Sequence, residues 1–478
     1  MKKSLCSFAG MLLFTITAKS QQLPSKPVWD TVITGHFSKA DYKQITYLPV
    51  NVPAGITSFN MQASISDSVN NVLDIGLFDE KGIDLGTPNG FRGWAGGKSS
   101  KSVTISTADA TPSYIPGTVN RGLWHIMIVP TTIKQDGFDY TIKVALGSYP
   151  VIAPDFKATP ARESINNQPG WYRGDLHMHD VNSDGVYNPA LLVEYAAKAG
   201  LRFMISTNHN TNAAALKWGK YEHKNLLIMN GEEITPHEEN HWNAIGVTPY
   251  TWIDWRYNAA SGLVARFQQQ VRDSGGLCII NHPFYDSDPA VDTRFPATGF
   301  DGIEVWNGPW EINDEYAVDW WDKMLRRKQK ITAIGASDTH NPVSRNTAGH
   351  PQTVVHATGL NRKAIIGGLK KGSCYIAADS SYIADFQLGC EKQKAGIGET
   401  LHTGKKKKIT IHYSFKHLDG ATLYFYSNKG LLYAIPKITS SKPQQYIVTN
   451  AQEHTYIRAE VRDPNNKMLL LTNPVWID

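Results

Sequence analysis

The chain changes rhythm three times. Over 28–148, apolar and polar positions alternate in short runs such as "YTIKVAL" and "LWHIMIVP", split by turn clusters such as "GTPNGFRGWAGG". Period-two alternation between glycine-rich turns predicts strands, and the absence of helical spacing predicts a β-sandwich. A stretch rich in Pro, Ala, Asn and Gln, 149–170, reads as a linker. Over 171–384 strand-like runs ("YRGDLHM", "RFMIST", "NLLIMNGEEIT", "LCIIN", "FDGIEVWN", "ITAIGAS") alternate with stretches of helical spacing. The helical stretches are "NPALLVEYAAKAG", "SGLVARFQQQVRDSGG", "DEYAVDWWDKMLRRKQK" and "NRKAIIGGLKKG". The first has an asparagine cap, a proline in its first turn and a glycine at its end. Such alternation predicts an α/β fold, a parallel barrel or an open sheet. Over 385–478 the two-residue period returns ("KITIHYSF", "ATLYFYS", "YIRAEVR"), predicting a second β-sandwich.

Charge and length narrow the function classes. At 478 residues the chain can bury several cores. The formal charge of +5 includes Lys2, Lys3 and Lys19, which lie in a segment without acids, so losing those three leaves +2. That balance argues against nucleic acid as a partner. Residues 1–20 have the make-up of a secretory signal: Lys2 and Lys3, then the apolar run "FAGMLLFTITA", then small residues before a cut near Gln21. The run is well short of the roughly 20 residues a spanning helix needs. Export to the periplasm or the exterior is therefore expected, with no membrane span. Once Cys6 is removed, Cys278, Cys374 and Cys390 form an odd, scattered set rather than a disulfide framework, although a Cys374–Cys390 bridge stays open.

Metal-binding side chains collect where the strands of 171–384 run out. "YRGDLHMH" ends with His177 and His179, and the following "SDG" adds Asp184. "FMISTNHN" ends with His209, and "NLLIMNGEE" with Glu232 and Glu233, followed by His241 in "NHWNA". "LCIINHP" ends with His282, and "ITAIGASDTH" with Asp338 and His340. In a parallel barrel these strand ends share one face, where catalytic groups sit. Six histidines, two aspartates and a glutamate obeying one positional rule predict one cavity. Zinc takes three or four protein ligands, so nine suit two or three ions with one carboxylate bridging. A set of histidine and carboxylate without cysteine favours Zn, Mn or Fe over Cu(I) or Ca. Asp175 is either a support for these ligands or a polar strand end.

"GDLHMH…SDG", "STNHN", "GEEIT", "NHWNA", "NHP" and "SDTH", in that order, resemble the polymerase-and-histidinol-phosphatase (PHP) superfamily. The branch most similar is the CehA/McbA-like metallohydrolases, often exported and flanked by β-domains. The resemblance spans roughly 170–380, and 28–148 is similar to a jelly roll of the pre-peptidase C-terminal type. It implies a distorted (β/α)7 barrel with a trinuclear site. His177, His179, Glu233 and Asp338 would hold the first ion. Glu233 would be shared with the second, joined by His241 and His282, and Asp184, His209 and His340 would take the third. Glu233 rather than Glu232 keeps the family's spacing from Gly231. Asn208 stands where the family usually has aspartate, which should alter the orientation and basicity of His209.

Such ions lower the pKa of bound water from about 15.7 towards about 7, giving a bridging hydroxide that attacks phosphorus or a carbonyl carbon. Nothing resembles a nucleophile elbow or a phosphate-binding glycine loop, which argues against serine chemistry and nucleotide hydrolysis. Phosphate chemistry dominates the superfamily, so the resemblance favours a phosphoesterase acting on a small-molecule or glycan-linked substrate. Arg345 and Arg173 are the cations expected at its oxygens, and His350 a candidate general acid. A carboxyl-ester, carbamate or amide hydrolase is the alternative, with Trp242, Trp306 and Trp310 expected near the mouth. A third reading is a glycan-binding protein with an inert barrel.

Overall fold

The computed structural model describes residues 29–478 apart from 87–88, 98–101, 135, 149–152, 237–239, 286–297, 405 and 440–441. The signal expected over 1–20 and the start of the 149–170 linker lie outside the described residues.

The alternation of 28–148 becomes two four-stranded antiparallel sheets. One orders Thr31–Phe37, Phe138–Gly147, Ser58–Ile65 and Ser102–Ser106, and the other Thr46–Val52, Gly122–Thr132, Val72–Phe78 and Phe91–Ala95. Phe59, Met61, Ile75, Leu77, Trp124 and Ile126 meet between the sheets, with the Phe59 and Trp124 rings stacked 5.3 Å apart.

Seven strands follow: Gly170–Met178, Phe203–Ser206, Leu227–Ile234, Trp242–Ile245, Leu277–Ile280, Gly302–Asn307 and Thr332–Ala336, paired in chain order. Most of their positions are buried, which is why they read as apolar runs rather than alternating ones. The sheet curls until Met178 bridges Thr339, just past the seventh strand. The four expected helices form as Pro189–Lys198, Val264–Asp273, Ile312–Arg326 and Arg362–Lys370. Asn188 and Asn361 start two of them, each side chain accepting a backbone N–H of the first turn at 2.9 Å.

Full βα alternation is not what forms. Between Ser206 and Leu227 the chain makes a single 3-10 turn, Trp218–Tyr221, where a helix would complete the repeat. Trp242–Ile245 runs antiparallel to both neighbours, so parallel pairing falls into two blocks, 170–234 and 277–336. The central unit is a curled mixed sheet with few helices.

Its sheet continues through Gln352–Ala357 and Cys374–Ala377 into Met468–Thr472, Tyr456–Arg462 and Thr422–Ser427. Those last strands form one layer of the C-terminal sandwich. The other layer is Gln393–Gly396, Ile383–Cys390, Ile409–Lys416 and Gln444–Val448, packed over Phe386, Leu388, Leu423 and Phe425. Cys374 lies 3.2 Å from the Asn473 amide and does not bridge Cys390. Among the described residues no helix is long and apolar enough to cross a membrane.

Both flanking units are fastened to the centre. The Phe91 ring stacks on Trp252 at 4.0 Å, and Arg256 donates to the Tyr47 hydroxyl at 2.6 Å and the Ile83 carbonyl at 3.0 Å. On the other side Arg458 lies between Asp322 of the third helix (3.0 Å) and Glu460 (2.6 Å), while Arg462 joins Glu460 (2.9 Å) to Glu315 (2.5 Å). Asp322, Arg458 and Glu460 are buried, so removing Arg458 breaks two buried ion pairs at once and leaves Asp322 to Arg326 and Tyr456, and Glu460 to Arg462. Arg458→Met should lower unfolding stability by about 3–5 kcal/mol, the usual cost of breaking a buried ion pair. Urea denaturation checks this, and a loss below about 1 kcal/mol would place these charges in the class of weak, screened pairs.

Candidate metal centre

The curl gathers the strand ends around one carboxylate. Glu233, buried at the end of the third strand, divides its oxygens between two groups of side chains. Its Oε2 lies 3.1 Å from His177 Nε2, 3.3 Å from His179 Nε2 and 3.1 Å from His209 Nδ1. Its Oε1 lies 3.1 Å from His241 Nδ1 and 3.3 Å from His282 Nε2, and accepts from Asn281 Nδ2 at 2.9 Å. His177 and His179 reach the same face because strand side chains repeat every two residues. Asp338 adopts φ +50, a left-handed conformation that aspartate tolerates better than most residues, and its Oδ1 lies 3.3 Å from His177 Nε2 and 3.1 Å from His179 Nε2.

Asp184 arrives on a loop that folds back on the first strand. A side chain at Gly185 would meet the His179 carbonyl carbon at 2.6 Å and the Asp180 nitrogen at 2.7 Å, which explains the glycine of "SDG". Asp184 Oδ1 lies 3.2 Å from His340 Nε2 and 3.6 Å from His209 Nε2. All nine strand-end residues named from the sequence therefore stand in one cluster.

Partners behind the cluster fix the ring orientations. His177 Nδ1 faces Glu304 at 3.2 Å, a buried carboxylate that also accepts the His282 backbone N–H at 3.0 Å. His340 Nδ1 donates to the Asp338 carbonyl at 2.9 Å, and His209 Nδ1 meets the Thr235 hydroxyl at 2.6 Å. For His177 and His340, a donating Nδ1 leaves Nε2 as the lone-pair nitrogen facing inward. Sequence reading passed over Glu304. Its signal is a single acid inside the apolar strand "GIEVWN", three residues before the strand's last residue.

The donor set suits a divalent transition metal. His177 Nε2, His179 Nε2 and Asp338 Oδ1 are buried and face one another and Glu233 at 3.1–3.3 Å, yet make no hydrogen bond among the described residues, an arrangement a cation between them would satisfy. Their 3.1–3.3 Å separations approach the edge of about 3.4 Å spanned by ligands bound tetrahedrally at 2.0–2.1 Å. Among the described residues four compact groupings could each hold an ion: His177, His179 and Glu233; His177, His282 and Glu304; His209, Glu233 and His241; and His179, Asp184, His209 and His340. Burial pushes the Glu233 carboxyl up, but His209 and His177 beside it hold it well below the carboxylate range. Asp338 is likewise held well below its usual value despite burial, chiefly by His177 and His179. Burial alone would lower His179, yet Asp338 and Glu233 raise it to about 9, whereas burial takes His209 down to about 4. Cation uptake must therefore displace a proton from His179, and acid must oppose binding.

Other sequence candidates fall outside the cluster. Glu232 points away, accepts the Ile253 N–H at 2.9 Å, and burial drives its pKa well up. Asp175 accepts backbone N–H groups of Ser337 (3.0 Å), Gly349 (2.7 Å) and His177 (3.3 Å), tying strand ends together. Asn208 does not reach His209; it accepts from the Asp180 N–H at 3.0 Å and Ser183 Oγ at 2.9 Å, bracing the Asp184 loop. Arg173 is spent on the Tyr382 carbonyl at 2.8 Å and Gln352, and His350 on the Ala378 carbonyl at 3.1 Å, so neither reaches the cluster. Trp242 and Trp306 are buried in the shell, donating to Tyr257 Oη (2.7 Å) and the Gly308 carbonyl (3.0 Å), and Trp310 donates to Glu315 at 3.0 Å.

A cavity of about 580 Å³ opens beside the cluster, reached by His282, Glu304, Asp338 and His340 and walled by Tyr285, Asn307, Asn313, Asn346 and Arg345. Tyr285 is 70% exposed, with its ring 5.4 Å from that of His282. Arg345 is the one Lys or Arg among the described lining residues, and Glu311 pairs with it.

No model of a known protein family matches the chain, and no curated protein does. Among solved structures it is similar to a two-domain protein from Bacteroides vulgatus containing a predicted PHP-like metal-dependent phosphoesterase. That likeness has 18% identity and a TM-score of 0.39, over 67% of this chain and 100% of the other. It is also similar to an amidohydrolase from Chromobacterium violaceum with bound sulfate, at 18% identity and a TM-score of 0.29, over 37% of this chain and 90% of the other.

The two adjacent glutamates make opposite predictions. Glu233→Ala should strip metal from purified protein by elemental analysis, because two groupings lose a shared ligand. Glu232→Gln should leave metal content at the parent level. The reverse result would move the shared carboxylate by one residue.

Proposed function

We propose that this chain is an exported, multinuclear metal-dependent hydrolase, acting as a phosphoesterase on phosphodiester or phosphomonoester bonds. The observation that carries the reading is the convergence of buried His177 Nε2, His179 Nε2 and Asp338 Oδ1 around Glu233, beside a cavity walled by Arg345. In this reading His177, His179, Glu233 and Asp338 hold one Zn, Mn or Fe ion, Glu233 with His241 and His282 a second, and Asp184, His209 and His340 a third. Bound there, such ions acidify water and set positive charge beside a developing oxyanion.

The chain's own residues supply orientation and recognition. Glu304 fixes the His177 ring, and Arg345 presents a planar fork of donors to the non-bridging oxygens of a phosphoester, an anion able to compete with Glu311 for it. The exposed Tyr285 face and the Asn307, Asn313 and Asn346 amides suit a small polar leaving group, such as an alcohol of a sugar or polyol. A specific observation keeps a carboxyl-ester, carbamate or amide hydrolase as the second reading: Glu311 already neutralises Arg345, so an uncharged substrate also suits the cavity.

Metal-loaded protein should carry two to three equivalents per chain and turn over generic phosphodiesters or phosphomonoesters. Arg345→Ala should slow phosphodiester hydrolysis about 10²-fold, near the loss of one charge-stabilising donor, and nearly spare any carboxyl-ester turnover. Carboxyl-ester turnover without phosphoester turnover would select the second reading, and no turnover by fully loaded protein would leave an inert barrel.

Export is supported by the composition of residues 1–20. Protein recovered from an exporting host should begin near Gln21, and an intact Met1 would overturn the localisation.

A further inference from the structure

Besides the contacts around Phe91 and Arg256, the N-terminal sandwich meets the loops that carry Asp184 and His209 at Ser113, whose main chain is used twice. Ser113 sits at the tip of a turn with φ +78, a conformation uncommon outside glycine, Asn and Asp, and is 2% exposed. Its backbone N–H donates to Asn182 Oδ1 at 3.3 Å, and its carbonyl accepts from Thr211 Oγ1 at 3.0 Å. Asn182 and Thr211 are 4% and 1% exposed, so neither bond competes with bulk water. Asn182 belongs to the loop that delivers Asp184, and Thr211 to the loop that delivers His209. These two loops come from different strands and supply half of the grouping His179, Asp184, His209 and His340.

The sandwich holds this turn rigidly. Arg92, buried in its core, donates to the carbonyls of Ile115 (3.1 Å), Gly117 (3.2 Å) and Thr118 (3.1 Å) just beyond Ser113. Tyr114, fully buried, donates to the Ile75 carbonyl at 2.9 Å. Gly93, at φ +136, lies directly beneath: a Cβ there would meet the Ser113 oxygen at 2.5 Å and the Tyr114 Cα at 2.6 Å. Within the central unit Asn182 Nδ2 donates to Asp180 at 2.9 Å, the Ala213 N–H donates to Thr211 Oγ1 at 3.2 Å, and Asn208 joins the two loops by accepting from the Asp180 N–H and Ser183 Oγ. Ser113 adds a second tie between them, from outside the central unit.

We propose that the N-terminal sandwich is a working part of the metal centre: the main chain of Ser113 ties the Asp184 loop to the His209 loop and so sets the cation site of His179, Asp184, His209 and His340. This rests on the metal reading given above. Ser113, Asn182 and Thr211 are positioning residues, and their effect should fall on one ion rather than on all.

The test is zinc content and chelator-driven zinc release from the full chain, resolved into rate classes. Thr211→Val keeps shape and removes the hydroxyl. Gly93→Ala displaces the Ser113 turn from the sandwich side without touching the central unit. Both should speed release of one zinc class by about 10- to 100-fold, the range for losing a partner that orients a ligand, while the remaining classes keep their rates. Thr211→Ser, which retains the hydroxyl, and Ser113→Gly, which retains both main-chain bonds, should release zinc like the parent. Unchanged release in Thr211→Val, or equal acceleration of every class, would overturn the proposal even if Gly93→Ala failed to fold. A parent that takes up no zinc would overturn the metal reading itself, and this proposal with it.

Discussion

Everything at this centre depends on the burial of one carboxylate. Glu233 sits at the end of a strand whose every position is buried, and its two oxygens face two separate sets of imidazoles. A carboxylate removed from water is costly without close positive charge or hydrogen-bond donors. Here five histidines and one amide supply them from four other elements, so the curl of the sheet and the ionisation of the site are one problem. The arrangement also explains why Glu232, next in the chain and pointing oppositely, is an ordinary buried acid bound to a backbone N–H.

The flanking domains look detachable in sequence and are not so in structure. The central sheet runs without a break into the C-terminal sandwich through Cys374–Ala377 and Met468–Thr472. The Asp322–Arg458–Glu460–Arg462–Glu315 chain of charges ties that sandwich to the helix whose first turn carries Asp314, beside the cavity wall residue Glu311. On the opposite side an aromatic interface centred on Phe91 and Trp252 presses the N-terminal sandwich against the loops that follow the strands. Two β-domains thus buttress the one face where chemistry is concentrated, the face on which loops rather than strands must hold side chains in place.

The sequence revealed the cluster because most of its members obey a positional rule: they close an apolar run, with Asp184 and His241 following in the next short motif, and a buried run ending in histidine or aspartate is conspicuous. The four helices were legible for a similar reason, having a 3.6-residue period and, in two of them, an asparagine cap. What was not legible depended on contacts between distant segments. Trp242–Ile245 has four residues, too few to show a period, and its antiparallel direction is set by its neighbours. The missing helix after Ser206 left no polar–apolar stripe to find, only the compact turn around Trp218. Arg173 precedes the end of its strand, Met178, by five residues and His350 lies fourteen residues beyond Ala336, so neither shares the position of the strand-end ligands. Glu304 was hidden because it acts mid-strand, through His177, rather than at a strand end. Ser113 could not have been found at all, since its part is played by main-chain atoms.

The most direct test is a crystal of the full chain grown with zinc or manganese and measured at the metal absorption edge. The expected result is two anomalous peaks on either side of Glu233, about 3.5–4 Å apart, and a third beside Asp184, His209 and His340. Peaks confined to the surface, or a Glu233 carboxylate in contact with histidines alone at saturating metal, would contradict the account.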